Sequence, residues 1–217
     1  TNTSPIEHVI YRGIDHHIYE LLPLAGKIKW QYTDLTSRNM DINGTIFSTA
    51  GASVVDGRAF LAAGDPVAYK TTAYTPIDSN HETGHVMYRG MDNHIYELFG
   101  LTSDSTTWLN HSITLAAGAP LAAGDFVAYT THASSETQHV MYRGEDSNVY
   151  EIFYDFSSGS DAHWHYNNLT NSVHLAAGDL AACVVSNSDN ETEYLVYRGI
   201  DNHVYGLSYV FSRSRTW

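Results

Sequence analysis

His85-Val-Met-Tyr-Arg-Gly-Met-Asp92, followed at once by His94-Ile-Tyr-Glu97, is the stretch that decides the fold, because the chain repeats it. It returns as His8-Val-Ile-Tyr-Arg-Gly-Ile-Asp15 with His17-Ile-Tyr-Glu20, and as His139-Val-Met-Tyr-Arg-Gly-Glu-Asp146 with Asn148-Val-Tyr-Glu151. The fourth copy is Tyr194-Leu-Val-Tyr-Arg-Gly-Ile-Asp201 with His203-Val-Tyr-Gly206. One tryptophan follows each copy (Trp30, Trp108, Trp164 and Trp217), and a Gly-Asp element leading into apolar residues starts at Gly64, Gly124 and Gly178. The copies are spaced by 77, 54 and 55 residues. A period of that length matches one four-stranded propeller blade with generous loops.

Each piece reads as a strand: short, rich in Val, Ile, Tyr and Phe, and bounded by Gly, Asp and Asn. Arg-Gly-x-Asp reads as the hairpin turn between two of them, with Gly13 and Asp15 supplying turn chemistry. No window carries a 3.6-residue period. Each unit therefore reads as an inner strand of the Asp-Pro-Val-Ala-Tyr type, a second strand through His-Val-Met-Tyr, a third through His-Ile-Tyr-Glu-Leu, and an outer strand around the Trp. The expected fold is all-β, a single propeller domain over 1–217 with repeats near 1–60, 61–120, 121–175 and 176–217. The first copy has no inner strand before His8, and its long interval places a loop around Ser37 to Phe60. The chain is a compact four-bladed ring closed by Thr1 to Glu7 pairing on the last blade, or part of a larger ring, or a ring that needs a second copy to close. A homo-oligomer is thus one of three expected assemblies.

Composition narrows the function. Hydrophobic residues make up 43% and charged residues 16%, as in a globular protein. The net charge is −13 and only Lys27, Lys29 and Lys70 are lysines, which argues against nucleic acid and anionic membranes as partners. No apolar run is long enough to insert in a bilayer. The start, Thr-Asn-Thr-Ser-Pro, has no initiator Met, so a leader has been removed or the chain comes from a longer one. Sequons begin at Asn2, Asn43, Asn110, Asn168 and Asn190. They permit glycosylation and fit a secreted protein. The one cysteine, Cys183, lies in an apolar stretch and reads as a buried small residue.

The repeat resembles the propeller lectins of fungi and bacteria, most closely the seven-bladed bacterial lectins that bind fucose and related sugars. It is more distantly similar to the six-bladed fungal fucose lectins. The resemblance covers nearly the whole chain. It implies multivalent recognition of glycans or glycoconjugates. In the fungal lectins an Arg and a Glu twelve positions apart hold the sugar hydroxyls while an aromatic residue stacks on the ring. Carried onto this sequence, the Glu position falls on Glu20, Glu97 and Glu151, and the Arg position on His8, His85 and His139. Two departures stand out: His replaces Arg, and the fourth copy has Tyr194 and Gly206 instead of the pair.

The chemistry of these residues suits a sugar, since imidazole N–H donates and a carboxylate accepts. It equally suits a fastening between blades. Trp30, Trp108 and Trp164 divide the same way, as stacking platforms or as inter-blade filling. Arg12, Arg89, Arg143 and Arg198 persist with Asp15, Asp92, Asp146 and Asp201 even in the degraded copy. That persistence points to the turn, with an Arg–Asp hydrogen bond. No cofactor and no metal site is expected; His163-Trp164-His165 puts two imidazoles on one face, enough for adventitious metal. Catalytic motifs are absent, and the acids recur per blade, whereas propeller glycosidases gather theirs at one centre. A binder is therefore expected, not an enzyme. The alternatives are a small-molecule or protein binder with a site in the central channel, or a glycan-active enzyme.

Overall fold

The computed structural model of the 217-residue chain describes residues 8–23, 30–36, 61–72, 83–101, 108–132, 136–156, 163–187 and 190–212. Blade 1 holds β1 (Val9–Arg12), β2 (Ile18–Pro23) and β3 (Trp30–Asp34). Blade 2 holds β4 (Val67–Thr71), β5 (Thr83–Arg89), β6 (Ile95–Leu101) and β7 (Leu109–Ser112). Blade 3 holds β8 (Ala122–Thr131), β9 (Thr137–Gly144), β10 (Val149–Asp155) and β11 (Trp164–Asn168). Blade 4 holds β12 (Ala176–Ser186), β13 (Asn190–Gly199) and β14 (Val204–Ser212). Every sheet is an antiparallel meander in chain order. Four such sheets in series, packed face to face, make a four-bladed β-propeller. The loop at Ser37 to Phe60, the segment Thr1 to Glu7 and Trp217 lie outside the described residues.

Three apolar clusters join the blades in sequence. Ile18 and Leu35 of blade 1 meet Val86, Tyr88 and Leu98 of blade 2. Met87, Ile95 and Ile113 of blade 2 meet Val140, Tyr142, Ile152 and Trp164 of blade 3. Met141 and Val149 of blade 3 meet Leu180, Leu195 and Tyr197 of blade 4. Because successive side chains point to opposite faces, His-Val-Met-Tyr sends His85 and Met87 forward to the next blade and Val86 and Tyr88 back to the previous one. That two-sided burial is why the strands do not alternate apolar with charged.

A backbone joint accompanies each cluster. The Ala62 N–H donates to the His16 carbonyl of blade 1, the Ala122 N–H to Asn93 of blade 2, and the Ala176 N–H to Ser147 of blade 3. The Ala-Ala-Gly-Asp element is thus the clamp from one inner strand to the preceding hairpin. Thr36, Thr114 and Thr170 close their blades from the other edge, accepting from the N–H groups of Ile18, Ile95 and Val149.

The hairpin turn works differently from the expectation. Its aspartates bond the tyrosine of the third strand rather than the arginine: the Tyr19 hydroxyl donates to Asp15 at 2.6 Å, Tyr96 to Asp92 at 2.7 Å and Tyr150 to Asp146 at 2.7 Å. Arg89 and Arg198 brace the residue after the aspartate, Asn93 and Asn202, while Arg143 donates to the Ala123 carbonyl. The residue after the aspartate takes the positive φ, 65° at both Asn93 and Asn202. The glycine is needed for room instead, since a Cβ on Gly90 would sit 2.5 Å from Asp92 Oδ1 and 2.7 Å from the Tyr96 ring.

Three further expectations change. A short helix, α1 (Ile113–Ala117), interrupts the β pattern, started by the Ser112 side chain and ended by Gly118 at φ 66°. Cys183 is exposed, because it lies on the forward face of blade 4, which no described blade covers. The sequon at Asn110 is closed in the folded chain: Asn110 is buried and its amide donates to the Tyr88 hydroxyl.

Candidate functional site

The His–Glu pairs form at all three joints. His8 Nδ1 lies 2.6 Å from Glu20 Oε1, His85 Nδ1 2.7 Å from Glu97 Oε1, and His139 Nδ1 2.8 Å from Glu151 Oε1. The register explains the contact. Glu97 stands opposite Met87, and His85 opposite Phe99, so the two are diagonal neighbours on the forward face. Glu151 and His139 repeat this with Met141 and Phe153. The carboxylates are buried at every joint, as are His85 and His139, while His8 keeps some exposure.

The pairs at the second and third joints belong to a larger polar set that sequence reasoning missed. The inner strand supplies Thr71, 2.8 Å from His85 Nε2, and Thr131, 2.9 Å from His139 Nε2. The outer strand supplies the residue directly opposite the glutamate: His111 holds Glu97 Oε2 at 2.7 Å, and the Asn167 amide donates to Glu151 Oε2 at 3.0 Å. In blade 1 that place is Thr33, and Glu20 Oε2 is buried without a hydrogen-bond partner. The following blade supplies the residue before its own His or Tyr: Gly84, Gln138 and Glu193 at the three joints. Gln138 brings its amide 3.0 Å from His85 Nδ1, and Glu193 Oε1 lies 3.4 Å from His139 Nδ1. A signal was present in the sequence, since Ala-Tyr-x-Thr at Ala68 to Thr71 recurs at Ala128 to Thr131. Copy four has Val185 at the Thr position, in step with its loss of His and Glu.

The joints differ in charge. Burial pushes the Glu97 carboxyl up, but hydrogen bonds and charge from His111 and His85 outweigh it and hold the group down at about 2. Burial pushes Glu193 up to about 6, with His139 opposing and Glu151 adding to the rise. A cavity of about 220 Å³ opens at the third joint, lined by Glu151, Glu193, Leu195, Leu207 and Tyr209 among others.

The tryptophans pack backward. Trp164 is buried in the blade 2–3 cluster, edge-on to His111 with centroids 6.1 Å apart. Trp108 packs against the blade 1–2 cluster, and Trp30 is 49% exposed. None of the three lies within the described His–Glu contacts. Among the described residues, no helix is long and apolar enough to cross a membrane.

No family model and no curated protein matches the chain. Solved structures that resemble it include a fucose lectin from Kordia zhangzhouensis in complex with methyl-fucoside. That match is 13% identical, covers 70% of this chain and 100% of that one, and has a TM-score of 0.47. The Aleuria aurantia lectin in complex with Fucα1-6GlcNAc is 14% identical over 95% of this chain and 59% of its own, with a TM-score of 0.48. This chain thus spans about three fifths of the Aleuria lectin. The α-L-arabinofuranosidase of Podospora anserina is 12% identical over 99% of this chain and 67% of its own, at a TM-score of 0.38. The four meandering sheets carry the propeller assignment by themselves.

Proposed function

We propose that the chain is a lectin that binds a monosaccharide of glycans, fucose or a related sugar, at the joints between blades, and that it does no catalysis. The observation that carries this reading is the recurrence of one His–Glu pair with a buried carboxylate at three successive joints, with one carboxylate oxygen of Glu20 lacking a hydrogen-bond partner among the described residues. An unpaired buried acceptor needs a donor, and a sugar hydroxyl is one. Gly84 stands at the first joint where Gln138 stands at the second, so no side chain from that position approaches the His8–Glu20 pair. Apolar walls such as Leu195 and Leu207 at the third joint suit the C–H face of a sugar ring. Acids distributed over three joints favour several weak sites acting together over one catalytic centre.

A second reading has its own observation. A cavity of about 450 Å³ lies among the inner strands, lined by Tyr69, Tyr129, Ala182 and Cys183 among others, and would hold one small molecule.

Calorimetric titration with fucose, together with a glycan array, tests the lectin. Glu20→Ala is expected to remove one sugar site or weaken it about tenfold or more, with the melting temperature little changed. A blank array, or full stoichiometry with a lowered melting temperature in Glu20→Ala, counts for fastening alone.

A further inference from the structure

Joints 2/3 and 3/4 share one design, and two substitutions between them shift its charge in the same direction. At joint 2/3 a single carboxylate, Glu97, faces two imidazoles, His85 and His111, and the neutral amide of Gln138. At joint 3/4 the place of His111 is taken by Asn167, and that of Gln138 by Glu193. Two buried carboxylates there share one imidazole. Glu193 Oε1 is buried with no hydrogen-bond partner of its own among the described residues and is turned toward His139 Nδ1, while the Tyr129 hydroxyl is the one neutral donor to the same carboxyl. A buried carboxylate without compensation is costly, so this joint is short of positive charge.

We infer that joint 3/4 is a binding site for a divalent transition-metal ion of the zinc class, held by His139 Nδ1, Glu151 and Glu193. Ligand atoms from the three side chains all lie within 4.8 Å of one another, and all three residues are buried. Bonds of about 2.0–2.2 Å to nitrogen and carboxylate oxygen place the ligand atoms of a tetrahedral ion about 3.5 Å apart. The 2.8 Å and 3.4 Å separations from His139 Nδ1 need only a small opening to reach that spacing. One imidazole with two carboxylates suits zinc better than the all-oxygen cations. Thr131 Oγ1, on the other ring nitrogen at 2.9 Å, is the outer partner that fixes the orientation of a ligating histidine. The adjoining cavity, lined by Glu151 and Glu193, leaves a side open for water or a ligand.

The inference uses residues of the proposed sugar site at one joint, and its test uses the metal alone. The whole chain is stripped with a chelator and titrated with zinc chloride at neutral pH, with melting temperature followed in parallel. One site per chain and a raised melting temperature are expected. Glu193→Gln, which reproduces the amide chemistry of Gln138, should keep the fold and lose that site or weaken it at least tenfold. His165→Ala serves as the control for the surface pair His163 and His165, whose ring centroids are 3.8 Å apart. It should leave the tight site intact. No zinc binding, binding unchanged in Glu193→Gln, or binding abolished by His165→Ala overturns the inference. Fucose titration of the zinc-free chain reads the lectin separately, so the two fail independently.

Discussion

In blade 3, strand β9 is buried at every position from Thr137 to Tyr142, whereas in blade 4 the matching strand β13 alternates. Glu193, Leu195 and Tyr197 face blade 3 and are buried, while Tyr194 and Val196 face away and are exposed. The two strands have nearly the same sequence pattern, so the difference comes from what stands beside them. Composition on the open face follows. Where blade 3 carries Thr131, His139 and Glu151, blade 4 carries Val185, Tyr194 and Gly206. The polar set is kept only where a following blade covers it. Blade 1 is the mirror case: its backward face, with Val9, Tyr11 and Trp30, is the exposed one.

The sharpest way to break this comparison is at the tryptophans. Trp164→Ala empties a buried site between blades 2 and 3 and is expected to cost about 3–5 kcal/mol in urea unfolding. Trp30→Ala, at the same repeat position on an open face, is expected to cost about 1 kcal/mol or less. Equal losses would mean that the face of blade 1 is covered in solution.

Acid sharpens the comparison next. The Glu97 carboxyl is held at about 2 in the folded chain against 4.5 for the unperturbed group. A depressed carboxyl stabilises the fold fully above about pH 4.5 and loses that contribution as the pH falls toward 2. The shift corresponds to about 3 kcal/mol. Glu97→Gln should therefore flatten the pH dependence of unfolding between about pH 5 and 2. Blade 4, with Gly206 at that position, makes no such contribution. A variant as acid-sensitive as the parent would contradict the assignment.

The smallest effect concerns the inner strand. Thr131→Val removes a hydrogen bond to the buried His139 and should cost about 1 kcal/mol. The reverse change in blade 4, Val185→Thr, lies on an exposed position and should stay within about 0.5 kcal/mol by thermal melting.

Much of this molecule was set by sequence alone. Four copies of Tyr-Arg-Gly with their following strands required four hairpins, and the twelve-residue spacing allowed His and Glu to meet across each of the first three. Both are local consequences of strand register, which a repeat displays openly. Tertiary structure decided the rest, because a joint is made from two blades whose residues are far apart in the chain. The meeting of His139 with Glu193, the exposure of Cys183 and Trp30, and the burial of Trp164 all depend on which blade stands alongside. The partner of each aspartate was also hidden: arginine and tyrosine both recur at fixed distance from it, and only the fold of the turn puts the tyrosine hydroxyl within reach.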